Sequence, residues 1–323
     1  MKAIVYTKYG PPDHLHFEEV EKPTTKKDEV LVRIHAASVN AADWHLLTAD
    51  IFLVRFFSGL IKPKRVILGA DIAGQVTAVG ENVRQFKPGD EVFGDVFAHG
   101  GGGFAEFVSV PETTLAPKPA NLSFEEAAAV PLAATTALNG LRNIERRQSR
   151  QKVLIQGASG GVGTFAVQIA KSFGAEVTAV CSARNQEQAR ALGADHVIDY
   201  GHEDFTKSRR QYDLILAVNG YHPITAYRRA LALGGTYEMI GGKPAQMFQA
   251  MLCGPFMSIY GNKKIRVVSS KPSRQDLLFL TELIEAGKLF PVIDRSYPLS
   301  ETAEALRYLG QGHARGKVVI TVS

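Results

Sequence analysis

Short apolar runs separated by polar turns fill the first third of the chain: AIVY, EVLVRIHAASV, IAGQVTAVG, EVFG and AEFVSV, broken by Gly, Pro and Asp. Runs of this length between such turns predict a twisted, mostly antiparallel β domain. From about residue 122 the rhythm lengthens. SFEEAAAVPLAATTALNGL reads as helix, with Ser123 as N-cap and Glu126 three residues on, a capping box. Strands then alternate with helices: strand 153–156, helix 164–173, strand 177–181, helix 185–192, strand 196–199, and further strands at 214–218 and 236–240. Such alternation needs right-handed crossovers and predicts a parallel sheet covered by helices on both faces. After the helix SRQDLLFLTELIEAGK, β character returns in VIDRSYPL and GKVVITV. The expected organisation is discontinuous: residues 1–121 with 288–323 form the β domain, and 122–287 the α/β domain.

Composition narrows the class. A chain of 323 residues is long for one core, and 45% hydrophobic with 21% charged residues is ordinary for a globular protein. Two cysteines, Cys181 and Cys253, form no CxxC pair, which fits a reducing compartment. MKAIVYTKYG starts directly with a strand pattern and shows no targeting segment, so a cytoplasmic location is expected. The most apolar stretch, IFLVRFFSGLI (51–61), is too short to span a bilayer and carries Arg55; it reads as a partly buried loop or short helix, or as a docking surface. Net charge is +5, with no aromatic-rich basic stripe, so nucleic acid is not the expected partner.

VLIQGASGGVGTFAVQIAK is strand, glycine turn, helix, with Ala158, Ser159, Gly160, Gly161, Val162 and Gly163 standing where GxGxxG is expected. Such glycines let backbone approach a pyrophosphate, whose charge meets free N–H groups at the helix N-terminus. Nineteen residues after Gly163 the second strand ends in CSARN, at Ser182. An acid there would grip a free ribose 2′-hydroxyl and repel a 2′-phosphate. Here Ser182 and Arg184 stand instead, a hydroxyl donor and a forked cation, which favours NADPH over NADH unless Arg184 simply faces water.

GASGGVG, CSARN, GADHVIDY and HARGKVVITV resemble the zinc-independent medium-chain dehydrogenases/reductases of the quinone oxidoreductase type, over essentially the whole chain. The resemblance implies an α/β fold, a Rossmann doubly wound parallel sheet plus a GroES-like, mostly β substrate domain, with NADPH in the cleft between them and a homodimer joined near KIRVVSS. It implies that Ser159, Gly160, Gly161 and Val162 hold the pyrophosphate, that Ser182 and Arg184 take the 2′-phosphate, and that Tyr200 lies by the adenosine. Val218 and Asn219 would sit where the ribose or nicotinamide passes, Thr136 near the nicotinamide, and His313, Ala314 and Arg315 over the cofactor. Tyr200 has ordinary packing at a strand end as its other reading, and Thr136 a hydroxyl bonded within its own helix.

Zinc alcohol dehydrogenases of the same superfamily carry a Cys ligand and a His ligand in segments that correspond here to AASVNAADWH and LGADIAG. Asn40 takes the Cys position, Ala70 the His position, and Ala42 the serine of the proton relay. A catalytic zinc needs three protein ligands, and these positions do not supply them; a site rebuilt from His45 and His99 is the weaker reading. Without a Lewis acid, the acceptor that suits hydride is a quinone or an α,β-unsaturated carbonyl, whose charge spreads onto a conjugated oxygen. Asn40 is the first candidate donor to that oxygen, unless it only bonds backbone in its turn. Asp43 would brace the same loop, and Trp44 would stack on a planar ring or belong to the core. Tyr260 and Asn262 are weaker pocket candidates. The other functions are a zinc-free alcohol dehydrogenase or aldehyde reductase, and a non-catalytic NADPH-binding partner protein.

Overall fold

A computed structural model describes residues 1–51, 54–64, 66–145, 150–242, 246, 249–252, 262–268 and 272–322, with backbone alone at 57 and 145. It divides into two compact units, Met1–Thr135 with Lys271–Ser323, and Thr136–Ser270.

The first unit is built on β1 (Lys2–Val5), β2 (His16–Glu19), β3 (Glu29–Val39), β4 (Asp71–Val79), β5 (Glu91–Asp95), β6 (Phe107–Pro111) and β7 (Leu115–Pro117). The second contributes β8 (Lys152–Gln156), β9 (Glu176–Cys181), β10 (His196–Asp199), β11 (Tyr212–Ala217), β12 (Leu231–Met239) and β13 (Lys264–Val267); the chain then returns to the first with β14 (Ile293–Pro298) and β15 (Lys317–Thr321).

In the first unit β1 and β2 form a hairpin, and the main sheet runs β14-β15-β3-β4-β5-β7 with β6 also on β3. All its pairs are antiparallel except β14 with β15. Its apolar faces close over Tyr6, Ile34, Leu68, Ile72 and Phe104, and Leu306 of the helix Thr302–Gly310 covers the same core. The helix Arg274–Glu285 is tied to this unit as well: Asn121 donates to the Ile284 carbonyl and Arg274 to that of Leu115.

The glycine run HGGGGFAEF, which would suit a hairpin, is not one. Gly100, Gly101 and Gly102 take positive φ, and the chain lies backbone to backbone on 68–69, with Gly103 N–H on the Gly69 carbonyl and Phe104 N–H on that of Leu68. A Cβ at Gly69 would stand 2.6 Å from the Phe104 nitrogen, so both sides of this seam need glycine. The expected long helix after Ser123 is also two. Ser123 Oγ accepts from Glu126 N–H and Glu126 returns a bond to Ser123 N–H, but the helix stops at Phe124–Ala128, and Pro131 opens the next, Pro131–Glu145. Proline has no N–H to continue a helix and suits a first turn. The apolar stretch at 51–61 includes a short helix, Val54–Ser58, and leaves Phe56, Leu60 and Ile61 exposed.

The second unit is a six-stranded, wholly parallel sheet in the order β10-β9-β8-β11-β12-β13. Numbered within the unit that is 3-2-1-4-5-6, the Rossmann order, and the chain reverses direction across the sheet between β8 and β11. Ligands of such sheets sit beyond the carboxyl ends of the strands at that reversal.

Candidate active site: a nucleotide cradle and a buried charge network

β8 delivers Gln156 to the reversal point and the chain turns at once. Gly157 adopts φ +77°, and its N–H and that of Ala158 bond the Val180 carbonyl on β9. Gly160 caps the helix Gly161–Ser172, so the N–H groups of Gly161, Val162 and Gly163 open the helix without partners inside it. Gly163 is the sterically critical glycine: a Cβ there would lie 2.1 Å from the Gly157 carbonyl oxygen and 2.7 Å from Ala158 Cα. Helix and strand approach this closely only because that side chain is missing. Ser159 accepts from Asn185 at 2.9 Å, which fixes its hydroxyl beside the turn. These residues fit a pyrophosphate.

Around this turn lie the other expected contacts of the second unit. Ser182 is half-buried at the end of β9 and Arg184 is exposed two residues on. Tyr200 follows β10, exposed, with its N–H on the Cys181 carbonyl and its ring edge-on to Tyr221 at 6.4 Å. Gln156, Gly157, Tyr200, Asn219 and Tyr221 line a pocket of about 440 Å³. Val218, next to Asn219, is held to β8 by its N–H on the Gln156 carbonyl. Thr136 is buried on the helix Pro131–Glu145, beside Thr135, whose hydroxyl donates back to the Pro131 carbonyl. Asn262 lines a different pocket, with Arg228 and Lys263, and Tyr260 lies outside the described residues.

Sequence reasoning missed Gln156, Tyr221 and Tyr227. Tyr227 Oη accepts from the N–H groups of Tyr221 and His222, so its own hydrogen must go to Gln156 Oε1, 2.5 Å away. That bond fixes the amide of Gln156, which is 2% exposed, and leaves Nε2 buried without a partner. The signal was present in the sequence as a polar residue closing an otherwise apolar strand, VLIQ.

In the first unit the ends of β3, β4 and β5 gather a network of charges. Asn40 caps the helix Ala41–Thr48. Its Nδ2 donates to the Ser38 carbonyl at 3.2 Å and to Asp71 Oδ2 at 3.0 Å, and its Oδ1 accepts from Lys317 Nζ at 2.5 Å. Both amide hydrogens are thus committed inside the protein, so the expected donation from Asn40 to a substrate oxygen is not what this geometry provides. Asp71 also accepts from Ser38 Oγ at 2.6 Å and from Leu132 N–H at 2.8 Å, and pairs with Lys317 at 3.4 Å. Asp43 braces the loop, accepting from the N–H groups of Asn40 and Gly69.

Burial pushes the Asp43 carboxyl up to about 7, with Asp71 adding repulsion and Lys317 opposing it. Asp95, paired with Asp71 across β4 and β5, is likewise raised to about 7 by burial and then by Asp71. Three buried carboxyl groups therefore face one buried ammonium. Trp44 serves the core: its indole presses on the helix Thr302–Gly310, where a Cβ at Gly310 would come within 2.4 Å of the ring. His45 pairs with Asp50, and among the described residues no three His, Cys, Asp or Glu side chains are grouped to hold a metal. His313 and Arg315 are exposed in the turn before β15, Ala314 packs on the core, and Arg315 N–H bonds Asp294.

Residues 26–120 match the profile described as alcohol dehydrogenase GroES-like domain, and 192–320 that described as zinc-binding dehydrogenase. The chain is 34% identical to the chloroplast envelope quinone oxidoreductase homolog of Arabidopsis thaliana, over 99% of this chain and 98% of that protein. The chain belongs to the quinone oxidoreductase-like family of medium-chain dehydrogenases/reductases. Within that family it is also 36% identical to the 2-methylene-furan-3-one reductase of Solanum lycopersicum, over 99% of this chain and 79% of that protein. The structure of the quinone oxidoreductase from Coxiella burnetii superposes with a TM-score of 0.89 at 30% identity, covering 100% of this chain and 99% of that one. Membership makes the protein a nicotinamide-dependent oxidoreductase. No helix among the described residues is long and apolar enough to cross a membrane.

Proposed function

We propose that the protein is an NADPH-dependent, zinc-independent reductase that delivers hydride to quinones or α,β-unsaturated carbonyls. The observation that carries this reading is the buried ammonium of Lys317, 2.5 Å from the oxygen of Asn40, the residue in the metal-ligand position. The one lone-pair group Asn40 could offer a metal is thus taken by Lys317, and Ala70 offers no ligand beside it. Acceptors that need no Lewis acid are then favoured. The name of the tomato relative points the same way, since a methylene group next to a ring ketone is a conjugated enone.

When bound, the nicotinamide supplies the hydride. The chain's own part is to seat the pyrophosphate on the Gly161–Gly163 N–H groups and to offer Ser182 and Arg184 to the 2′-phosphate. Tyr200 and Tyr221 would flank the adenosine side. The enzyme is read as cytoplasmic and as a homodimer joined near KIRVVSS, where β13 is the outer strand of its sheet and leaves Lys264 and Arg266 exposed.

Steady-state assays with NADPH and NADH against a panel of quinones, enones and simple alcohols test the reading, before and after dialysis against a chelator. Chelator-insensitive reduction of quinones or enones with NADPH is expected. Chelator-insensitive alcohol oxidation in its place would make the protein a zinc-free alcohol dehydrogenase, and tight NADPH binding without turnover a non-catalytic binder.

A further inference from the structure

At the amino ends of the strands, where β12 and β13 begin, a second pocket of about 390 Å³ opens between Thr225, Arg228, Arg229, Leu233, Asn262 and Lys263. The helix Ile224–Ala230 places Thr225, Arg228 and Arg229 on one side by their spacing of three and four. The chain entering β13 supplies the facing wall, and Lys263 Nζ ties the two by donating to the Arg228 carbonyl at 2.9 Å.

The lining holds two guanidinium groups, an ammonium, a hydroxyl and an amide, and no carboxylate. Among the described residues no acidic side chain pairs with Arg228, Arg229 or Lys263. Arg228 Nε is buried with no hydrogen-bond partner. The Lys263 ammonium is held below its ordinary range, by burial first and then by repulsion from Arg228. A donor left unbonded and like charges left uncompensated both cost free energy, and one bound anion relieves both.

We propose that this pocket is a second anion site, which takes a small phosphate or pyrophosphate group on Arg228, Arg229 and Lys263 independently of the nucleotide cradle. Guanidinium forks suit the paired oxygens of a phosphoryl group, and Thr225 and Asn262 add neutral donors. Arg184 and the glycine turn stand at the carboxyl ends of the strands; this site stands at their amino ends, so one ligand of ordinary size does not bridge them.

The test is calorimetric titration of inorganic pyrophosphate into the full chain, with and without saturating NADPH. One pyrophosphate per chain is expected to bind in both conditions, at least tenfold more weakly in Arg229→Gln and in Lys263→Gln, with NADPH affinity in both variants as in the parent. Affinity should also fall as salt rises. Pyrophosphate binding that vanishes once NADPH is present would assign it to the cradle and overturn the proposal. So would an affinity that neither substitution changes, or no binding at all. Arg229 is exposed, so its variant tests the site without disturbing the core.

Discussion

Single atoms decide most of what this protein can do. At Gly163 one methyl group has no room, and Gly163→Ala is expected to weaken NADPH at least tenfold and to lower Tm, because relieving such overlap costs about 1–3 kcal/mol; titration of the cofactor beside a thermal melt reads both. At Arg184 the expected effect is selective. Arg184→Ala should weaken NADPH by about 1–3 kcal/mol and leave NADH nearly unchanged, since only the 2′-phosphate loses a charge-assisted bond. Equal losses for both cofactors would remove the assignment.

Asp95 gives a pH signature. Its carboxyl is raised from the ordinary aspartate value of 3.8 to about 7, so the folded state holds its proton over a range in which the unfolded chain releases it. Its contribution to stability is therefore full below about pH 4 and is lost as pH rises through 7. Asp95→Asn keeps an oxygen for Phe97 N–H and removes the titration. Denaturant melts from pH 4 to 8 should show a shallower decline in the variant; an unchanged slope would place the titration elsewhere.

Elements carry the next level of argument, and they show what the residue pattern conveys. The parallel sheet, its glycine turn and the capping box at Ser123 are legible because each follows from local rules: apolar strand, flexible turn, side-chain oxygen three residues ahead of a free N–H. Pro131 was equally visible, but the apolar run across it masked the break it imposes. The gathering of Asn40, Asp71, Asp95 and Lys317 was not legible, since Lys317 stands 277 residues from Asn40 and only the pairing of β15 with β3 brings them together. Trp44 shows the same limit: its partner is Gly310, a glycine with no sequence signal of its own. Gly310→Ala should displace the helix Thr302–Gly310 from Ala41–Thr48 and lower stability by about 1–3 kcal/mol, seen as a reduced denaturation midpoint with Trp44 fluorescence altered in the native state.

For the whole molecule, one unit carries the glycine turn with free helix N–H groups and the other encloses the charge network around Asp71 and Lys317. A ligand that binds only folded protein stabilises it by mass action, about 2.7 kcal/mol at a hundred times its Kd. NADPH is thus expected to raise the melting transition of the second unit, with hydrogen exchange slowed first at 157–163. If protection appeared only in the first unit, the cradle would be misassigned.

β15 is not an edge strand; it lies between β14 and β3, and Lys317 on it supplies the only ammonium hydrogen-bonded to Asn40 among the described residues. A ribosome making this chain therefore releases the Rossmann segment entire while the amino-terminal segment still has a gap in its sheet and an uncompensated carboxylate inside. The segment that precedes the Rossmann unit is thus completed after it, and until β15 is made it is the part that a chaperone or protease would find open.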